Sequence, residues 1–352
     1  MHTTPKRRRE MVQRFNEVRK DELKVRAYEI VAAEFGCTRD TVAAQIKLFR
    51  ESEEFLTQEI PAKRETFEVL ASADFEMQSP VIPTAKTTLI PTDGNRILEM
   101  VASDIHFPYE DAAAYQLFLD VATELQPDVL ILLGDIMDCY AVSAHDKDAN
   151  RGTPAAFKEE LLYTRVKRNE IKERLPNARV IYKEGNHETR LSRYITKNAA
   201  VLSNLSCVTL PELLGLAELK IEWIGNDERL RVGKMWHIHG NEVAGAGMSP
   251  ARLKYSRMQC SFIFGHHHQR DKHRPRAYDG SQHGAYANPC LCDLEPEYLH
   301  HAHSWSHGFT LIDHDTDGTF QVEETEVIKP HTRARSAKCN VRGRIYNVDL
   351  DQ

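Results

Sequence analysis

Apolar runs alternate with amphipathic stretches from residue 96 onward. The runs ILEMVAS, DVLILLG and ARVIYKEG have the length and composition of buried strands. The stretches between them, AAAYQLFLDVATEL and AAFKEELLYTRVKRNEIKERL, have the apolar spacing of helices, so we predict parallel strands joined by right-handed crossovers. Past residue 219 the pattern changes to short strands: KIEWI, RLRVG, KMWHIHG, SFIFGH, GFTLIDHD and TFQVEETEV. The whole pattern predicts an α/β domain in which two sheets pack face to face with helices outside.

The first fifty residues have a helical pattern. Apolar residues at helical spacing run from Glu22 to Phe35, Gly36 favours a helix end, and Thr38 can cap a second helix. The passage EIVAAEFGCTRDTVAAQIKLFR resembles a helix-turn-helix DNA-binding unit. In that resemblance the exposed face of the recognition helix carries Arg39, Thr41, Gln45 and Lys47. The alternative is a helical hairpin that packs on the main domain or on a second subunit of a homodimer.

A proline-containing stretch and changes in residue pattern divide the chain into four predicted parts. We assign residues 1–53 to the helix-turn-helix unit and residues 54–95, which contain four prolines, to a linker whose sequence can add an edge strand to the next domain. Residues 96–328 form the main domain. Residues 329–352 form a basic C-terminal tail, with no acidic residue between Lys329 and Arg344. Either solvation or a nucleic-acid contact explains such a tail.

Charge and composition narrow the class of protein. Residues 1–50 hold 12 Lys/Arg against 7 Asp/Glu, whereas the remainder holds 34 against 45, so a basic head that meets a polyanion precedes an acidic body. No apolar run approaches the roughly 18 residues that span a bilayer, and no hydrophobic signal stretch follows the basic N-terminus. Seven scattered cysteines without paired CxxC motifs favour a reducing compartment. We therefore expect a cytoplasmic protein without a membrane partner.

Residues that bind metals follow five of the predicted strands. These segments are SDIH at Asp104 and His106, GDIMD at Asp135, GNHE at Asn186, HIHG at His239, and GHHH at His266 and His268. Because open α/β sheets bind ligands at the carboxyl ends of their strands, we expect the five segments to converge on one rim. In an extended segment residues two apart point the same way, which would pair Asp104 with His106 and His266 with His268. Mixed carboxylate and imidazole ligands suit divalent first-row ions.

The ordered set D-x-H, G-D-x-x-D, G-N-H-E, H-G and G-H-x-H resembles the motifs of the calcineurin-like metallophosphoesterases. The resemblance covers residues from about 96 to at least 271 and implies a four-layer αββα sandwich with two divalent metals. It implies that one metal is bound by Asp104, His106 and His268, the other by Asn186, His239 and His266, and that Asp135 bridges both. Mn is the ion we expect, with Fe, Zn, Co or Ni as alternatives.

Residues beside the ligands have expected roles. The resemblance makes His187 the catalytic histidine, which stabilises the transition state or protonates the leaving oxygen. We expect Asp138 to contact or orient the site, and Glu188 to orient a histidine. Arg190 and Arg193, one helical turn apart, either hold a substrate phosphate or are ordinary solvated arginines. The later cluster of His300, His301, His303 and His307 with Trp305 is interpreted as a surface loop, with a substrate wall as the alternative.

The substrate is not fixed by these motifs, because one fold serves many phosphate esters. Head, linker and motifs together look like the phosphoesterases of bacteriophage and prophage genomes, which favours an enzyme acting on DNA as a nuclease or end-processing phosphatase. A tethered DNA-binding head would raise the local concentration of that substrate. One alternative is a phosphodiesterase of cyclic or small nucleotides. The other is a DNA-binding regulator with a vestigial metal site.

Overall fold

The computed structural model describes residues 5–18, 24–43, 46, 86–92, 94–144, 152–244, 247–276, 278, 280–296 and 303–351. The chain divides into two units, Met1–Val81 and Ile82–Gln352. Residues 54–85 of the predicted linker lie outside the described part. None of the helices described there is long and apolar enough to cross a membrane.

The first unit is helical. It contains α1 (Pro5–Val18), α2 (Lys24–Glu34) and a further helical segment at residues 39–43 and 46. Phe15, Val31 and Val42, one from each segment, are fully buried in a common apolar cluster. A single short helix is marginally stable in water. The three helical segments are stabilised because they bury these residues against one another.

The turn between the last two helical segments has the geometry that the sequence predicts. Gly36 lies at φ +60°, where glycine is favoured, and the amide of Cys37 donates to the carbonyl of Ala32 at 2.9 Å. The hydroxyl of Thr38 then accepts a hydrogen bond from the amide of Thr41 at 3.2 Å. These bonds satisfy backbone groups that a helix end leaves open, so the two helical segments meet at a defined corner.

The second unit contains strands and helices in an order close to the predicted one. Its first half comprises β1 (Thr87–Ile90), β2 (Ile97–Ala102), α3 (Ala112–Leu125), β3 (Val129–Leu133), α4 (Pro154–Arg174), β4 (Arg179–Lys183), α5 (Thr189–Asn198), α6 (Leu210–Leu214) and β5 (Glu222–Ile224). Its second half comprises β6 (Arg229–Val232), β7 (Met235–Ile238), α7 (Pro250–Met258), β8 (Phe262–Phe264), β9 (Asp271–His273), β10 (Ala285–Ala287), β11 (Gly308–His314), β12 (Phe320–Glu326), β13 (Ser336–Val341) and β14 (Arg344–Asp349).

These strands form two six-stranded sheets. The first sheet has the order β12-β11-β2-β3-β4-β5, in which β2 to β5 are parallel and β11 and β12 are added antiparallel. The second sheet has the order β1-β6-β7-β8-β10-β9, with β7 and β8 parallel. The edge strand β1 comes from the predicted linker segment and pairs with β6.

Apolar side chains on both faces of the sheets define four layers. Val101 and Ile131 of the first sheet pack with Val232 and Ile263 of the second in a cluster between the sheets. The opposite face of the first sheet packs against α3 and α4 in a larger cluster. The outer face of the second sheet, with Phe262, packs against α7 in a third cluster. The predicted four-layer αββα sandwich is confirmed.

The prediction that residues 329–352 form a basic C-terminal tail is wrong, because β13 and β14 fold within this segment. Strands β13 and β14 pair as an antiparallel hairpin, and Ala337, Cys339 and Val341 alternate into the same cluster as α3. Basic residues of the segment form ion pairs with acidic partners, as in that of Arg342 with Asp313 at 2.6 Å. The sequence showed the charges clearly, but period-2 burial over six residues is a weaker signal than a run of arginines.

A buried carboxylate joins the two sheets. Glu99 on β2 is fully buried and accepts hydrogen bonds from Nε2 of His237 on β7 at 2.6 Å and from Nε2 of His314 on β11 at 2.8 Å. Burial raises the pKa of Glu99, but the two histidines outweigh burial and hold the pKa at about 2. The group is therefore ionised in the folded protein, and it links β2 of one sheet to β7 of the other.

Replacing this carboxylate is expected to destabilise the fold. Glu99→Ala should lower the free energy of unfolding by about 3–5 kcal/mol, because two buried imidazole N–H groups lose their acceptor. Since the folded pKa of about 2 lies below the ordinary value of 4.5, the stabilisation is present above pH 4.5 and fades as the pH falls from 4.5 towards 2. Urea unfolding at several pH values measures both effects.

The matched control is Glu326→Ala, which removes a half-exposed ion pair with Arg270 on the same sheet. It should cost about 0.5 kcal/mol or less. Equal losses for the two variants would contradict the assigned role of Glu99.

Candidate metal centre

The five predicted metal-binding segments converge at one rim of the two sheets. Asp104 and His106 follow β2, Asp135 follows β3, and Asn186 follows β4 in the first sheet. His239 follows β7, and His266 and His268 follow β8 in the second sheet. Backbone bonds connect the segments, since the amide of Asp104 donates to Gly134 and the amide of His106 donates to Asp135, each at 3.0 Å. The rim therefore collects side chains from strands far apart in sequence.

One group of predicted ligands surrounds the end of β7. Nε2 of His239 lies 3.1 Å from Oδ2 of Asp135 and 3.1 Å from Oδ1 of Asn186. The ligand atoms of Asp135, His239 and His266 all lie within 4.8 Å of one another. These four side chains match the set expected for one metal.

A second group lies at the end of β2. Nε2 of His268 is 3.2 Å from Oδ1 of Asp104 and 3.3 Å from Nε2 of His106. Ligand atoms of His106, Asp135 and His187 also lie within 4.8 Å of one another. The carboxylate of Asp135 thus belongs to both groups, which is the position that a bridging ligand needs.

Five of the seven predicted ligands have left-handed backbones. Their φ angles are +54° for Asp104, +57° for His106, +52° for Asp135, +70° for His266 and +57° for His268. The expectation that the D-x-H and H-x-H pairs are extended is therefore wrong, although Asp104 and His268 still meet. Non-glycine residues in this region are uncommon and are concentrated at functional sites.

Glycines next to the ligands allow the segments to approach closely. A Cβ atom on Gly134 would lie 2.4 Å from Nδ1 of His239, and one on Gly185 would lie 2.3 Å from Oδ1 of Asp135. A Cβ atom on Gly265 would lie 2.5 Å from Oδ2 of Asp104. The glycines are required here because any side chain would occupy the space of a ligand.

A neighbour at Nδ1 orients three of the ligand imidazoles. Nδ1 of His239 donates to the carbonyl of Leu133 at 2.9 Å, which leaves Nε2 free to bind a cation. Nδ1 of His106 donates to Oδ1 of Asp138 at 2.9 Å. Nδ1 of His268 lies 3.7 Å from Sγ of Cys292, a contact that the sequence analysis missed because nothing near Cys292 resembles a ligand motif.

Asp138 connects the centre to His187. Its Oδ1 atom also accepts from Nδ1 of His187 at 2.8 Å, so one carboxylate orients both His106 and His187. Nε2 of His187 then faces Oδ2 of Asp135 at 3.7 Å. Asp138 therefore contacts two residues of the site and fixes the direction of the imidazole expected to act on the substrate.

The two arginines of α5 have different surroundings. Arg190 is half-buried and donates from Nη2 to Nε2 of His187 at 2.8 Å and from Nη1 to the carbonyl of Asp138 at 2.8 Å. Arg193 is exposed on the next turn. Among the interactions of the described residues, Arg190 thus contacts the site and Arg193 does not.

Glu188 has a role other than the expected one. Its carboxylate accepts from the amides of Asp135 at 2.9 Å, Ile136 at 2.7 Å and Met137 at 3.0 Å, and also from the amide of Gly185 at 2.9 Å. It orients backbone rather than a histidine. The reason is burial, since Glu188 lies beneath the turn that carries Asp135, where the amides have no other acceptor.

A second carboxylate beside a ligand turn, that of the half-buried Glu242, was missed by the sequence analysis. Glu242 accepts from the amides of His239 at 3.1 Å and Gly240 at 2.6 Å, and Lys183 lies 3.3 Å from it. Lys254 donates to the carbonyl of Gly240 at 2.5 Å. The signal available was the order H-G-N-E, in which an acid follows the ligand turn by three residues, as in a capped turn.

The charges of the centre favour cations. Burial raises the pKa values of Asp104 and Asp135, but neighbouring histidines, His268 for Asp104 and His187 and His239 for Asp135, outweigh it. The pKa of Asp104 is held at about 2, and that of Asp135 well below its ordinary value. Two ionised carboxylates, one amide oxygen and four imidazoles form a donor set that fits two divalent first-row ions. The residues present therefore fit the expected metals.

The residues of the predicted DNA-contacting helix lie in the first unit. Arg39 is exposed and Thr41 is half-buried, with its amide bonded to Thr38. Gln45 and Lys47 lie outside the described residues. Only Arg39 of the four thus has an exposed side chain in the part of the chain that the structure describes.

Comparisons with known proteins give structural matches only. No protein-family model and no curated protein matches the sequence. A single mutant of Vps29 from Entamoeba histolytica is 14% identical, with a TM-score of 0.34 over 72% of this chain and 99% of that chain. A dimetal phosphatase from Danio rerio is 12% identical, with a TM-score of 0.33 over 72% and 98% of the two chains. Yfce, a phosphoesterase from E. coli, is 14% identical, with a TM-score of 0.29 over 64% and 98%.

The contacts of Glu188 lead to a test of metal binding. Glu188→Gln should weaken Mn²⁺ binding by about 10- to 100-fold, because an amide NH₂ group then faces backbone N–H groups and the turn carrying Asp135 loses its support. Calorimetric titration of Mn²⁺ into chelator-treated protein measures the affinity, and circular dichroism verifies folding.

Glu184→Gln is the matched control, since Glu184, like Glu188, lies in the segment after β4 but accepts from the amide of Asn226. Its Mn²⁺ affinity should equal that of the unaltered protein. An equal loss in both variants would show that Glu188 has no specific role in metal binding.

Proposed function

We propose that the protein is a dinuclear metal-dependent phosphoesterase, an enzyme that hydrolyses phosphate esters. The observation that carries the proposal is the position of Asp135, whose carboxylate is shared by both groups of ligand atoms. A shared carboxylate is the arrangement that holds two cations close together. Two divalent ions bound there supply Lewis acidity for in-line displacement at phosphorus.

The protein's own groups complete the chemistry. His187 is held through Nδ1 by Asp138, and its Nε2 atom faces the centre, where it accepts a hydrogen bond from Arg190. When Arg190 binds phosphoryl oxygens instead, an imidazole protonated at Nε2 can stabilise transition-state charge or protonate the leaving oxygen. Arg190 adds a permanent positive charge that suits phosphoryl oxygens. Asp104 and Asp135, whose pKa values are lowered, would hold the cations as ionised carboxylates. Together these residues support hydrolysis rather than simple metal storage.

DNA is the substrate class that we propose for this site, through nuclease or end-processing activity. The helical first unit, with its ordered Gly36 turn, its exposed Arg39 and the local excess of basic residues in the first fifty, supports a DNA-binding head. The competing proposal is a phosphodiesterase of cyclic or small nucleotides in which the head mediates dimerisation. A regulator with a vestigial site is disfavoured, because all seven predicted ligands lie at the rim.

Two substitutions test the chemistry. Asp135→Asn should lower kcat/KM by more than about 100-fold, since the shared ligand loses its charge. His187→Ala should lower kcat by about 100- to 10,000-fold while Mn²⁺ still binds. Chelator treatment should abolish turnover and added Mn²⁺ should restore it. The assay compares DNA, RNA, cyclic nucleotides and a generic aryl phosphodiester.

The control is Asp120→Asn, on the outer helix α3, where Asp120 pairs with Arg174 at the surface. It should leave kcat/KM unchanged. Retention of activity in Asp135→Asn would remove the basis of the proposed function.

The proposed head has its own test. Affinity for duplex DNA should fall steeply with salt in the full chain, and the double substitution Arg39→Ala, Lys47→Ala should reduce the slope of log K against log salt by about 2. Removal of residues 1–53 should abolish this binding and leave hydrolysis of the aryl phosphodiester intact. Fluorescence anisotropy with labelled DNA measures the affinities.

Two results would contradict the DNA proposal. One is DNA cleavage by the shortened chain that equals cleavage by the whole chain at low enzyme concentration. The other is salt-insensitive turnover of a cyclic nucleotide, which would favour the competing proposal.

A further inference from the structure

An aromatic side chain stands directly beside the metal centre. The rings of Trp305 and the ligand His268 meet edge to face, with centroids 4.1 Å apart. The ring of His303 is tilted by 52° to that of Trp305, with centroids 5.0 Å apart, and His303 itself is exposed. Trp305 is partly exposed, so part of its indole surface remains open to a ligand.

The segment that carries Trp305 is held firmly to the site. The amide of Ser306 donates to the carbonyl of His268 at 2.8 Å, and the hydroxyl of Ser306 accepts from the amide of Arg270 at 3.2 Å. The next residue, His307, is buried and donates from Nε2 to the carbonyl of Cys292 at 2.8 Å. Trp305 is thus held by the bonds of the two residues that follow it, and its own amide donates to Nδ1 of His303 at 3.2 Å. The segment is therefore not the free surface loop that its sequence suggests.

The centre is open to solvent on the side of several of its ligands. Asn186, His187, Arg190 and His266 are all half-buried, whereas Asp104 and Asp135 are buried beneath them. A phosphate that reaches the rim therefore brings its substituents to a surface on which Trp305 stands next to a ligand. An aromatic ring in that position contributes little to cation binding but offers a platform for a flat group.

We infer that Trp305, assisted by His303, binds the base of a nucleotide whose phosphate lies at the metal centre. The inference rests on the proposed phosphoesterase function and deepens it by naming the side chains that bind the base of the proposed nucleotide substrate. Every base has a π face, so stacking on Trp305 favours nucleotides over esters of plain alcohols without selecting one base. The phosphate binds at the metal centre and the base binds on the indole.

The primary test measures binding without catalysis. Calorimetry on the Mn²⁺-loaded full chain compares thymidine 5′-monophosphate with 2-deoxyribose 5-phosphate, which has the same sugar phosphate but no base. Stacking contributes about 1–3 kcal/mol per base, so the nucleotide should bind about 5- to 150-fold more tightly. Trp305→Ala should remove this difference, and Trp305→Phe should keep most of it.

A second measurement uses hydrolysis. An oligodeoxythymidylate is compared with an oligomer of the same length that carries abasic sites. Trp305→Ala should raise KM for the first by about 5- to 150-fold, leave kcat nearly unchanged, and leave both constants unchanged for the abasic oligomer. Tyr278→Ala, which removes a fully exposed aromatic ring, is the control. It should change neither KM nor kcat for either oligomer.

The outcomes separate the two proposals. If neither oligomer is cleaved but Trp305→Ala still abolishes the preference for the nucleotide, the hydrolytic function fails and the base subsite stands. If Trp305→Ala weakens Mn²⁺ binding and both phosphates equally, the ring only braces His268 and the inference is overturned. Equal binding of the nucleotide and the sugar phosphate by the unaltered protein would overturn it as well.

Discussion

The carboxylate of Glu188 is the contact on which the geometry of the metal centre depends. It is buried, and it accepts five hydrogen bonds, from four backbone amides and from the hydroxyl of Tyr182. Those amides belong to the ends of β3 and β4, so a single side chain fixes Asp135 relative to Asn186. A buried carboxylate is stable only when such donors surround it. The two strand-end turns likewise keep their conformation only while the carboxylate is present.

Glu188 and Glu242 show a common solution at two ligand turns. Each carboxylate lies at the end of a strand and accepts from the amides of a turn that carries a ligand. The left-handed φ angles of the ligands are costly, of the order of 1–3 kcal/mol each, and persist only where surrounding contacts determine them. Buried carboxylates supply such a contact at two of these ligands, because Glu188 accepts from the amide of Asp135 and Asp104 accepts from the amide of His266. The centre is therefore preorganised by the protein.

The sequence was informative where chemistry and periodicity coincide. The three parallel strands are apolar, the two helices between them have apolar residues at helical spacing, and the ligands follow the strands in motifs whose order is distinctive. Backbone conformation was not predictable in the same way, because nothing in the letters of SDIH or GHHH distinguishes an extended pair from two left-handed residues.

Long-range contacts explain the other differences. The role of Glu188 depends on a turn about 50 residues earlier, and the position of Trp305 depends on a backbone bond between Ser306 and His268. The hairpin β13–β14 folds because its small apolar residues face α3, a partner more than 200 residues away in the chain. Local patterns identify which residues can do chemistry, and tertiary contacts decide which of them meet.

The division of the ligands between two sheets makes sheet packing part of the site. Asp104, His106, Asp135 and Asn186 come from the first sheet, while His239, His266 and His268 come from the second. Any sliding of one sheet over the other would separate Asp135 from His239, which now lie 3.1 Å apart. The apolar cluster between the sheets resists separation, but apolar contacts alone specify register weakly because they are not directional.

The hydrogen bonds of Glu99 are directional and therefore specify how the two sheets are aligned. It lies five residues before Asp104 on β2, and its partner His237 lies two residues before His239 on β7. A short, directional bond between these strands therefore sets the distance at which their ends face each other. Since strands are stiff over so few residues, a bond inside the sandwich fixes the ligands at its rim. The buried carboxylate of Glu99, which joins the two sheets by hydrogen bonds, is in this way also a determinant of the metal centre.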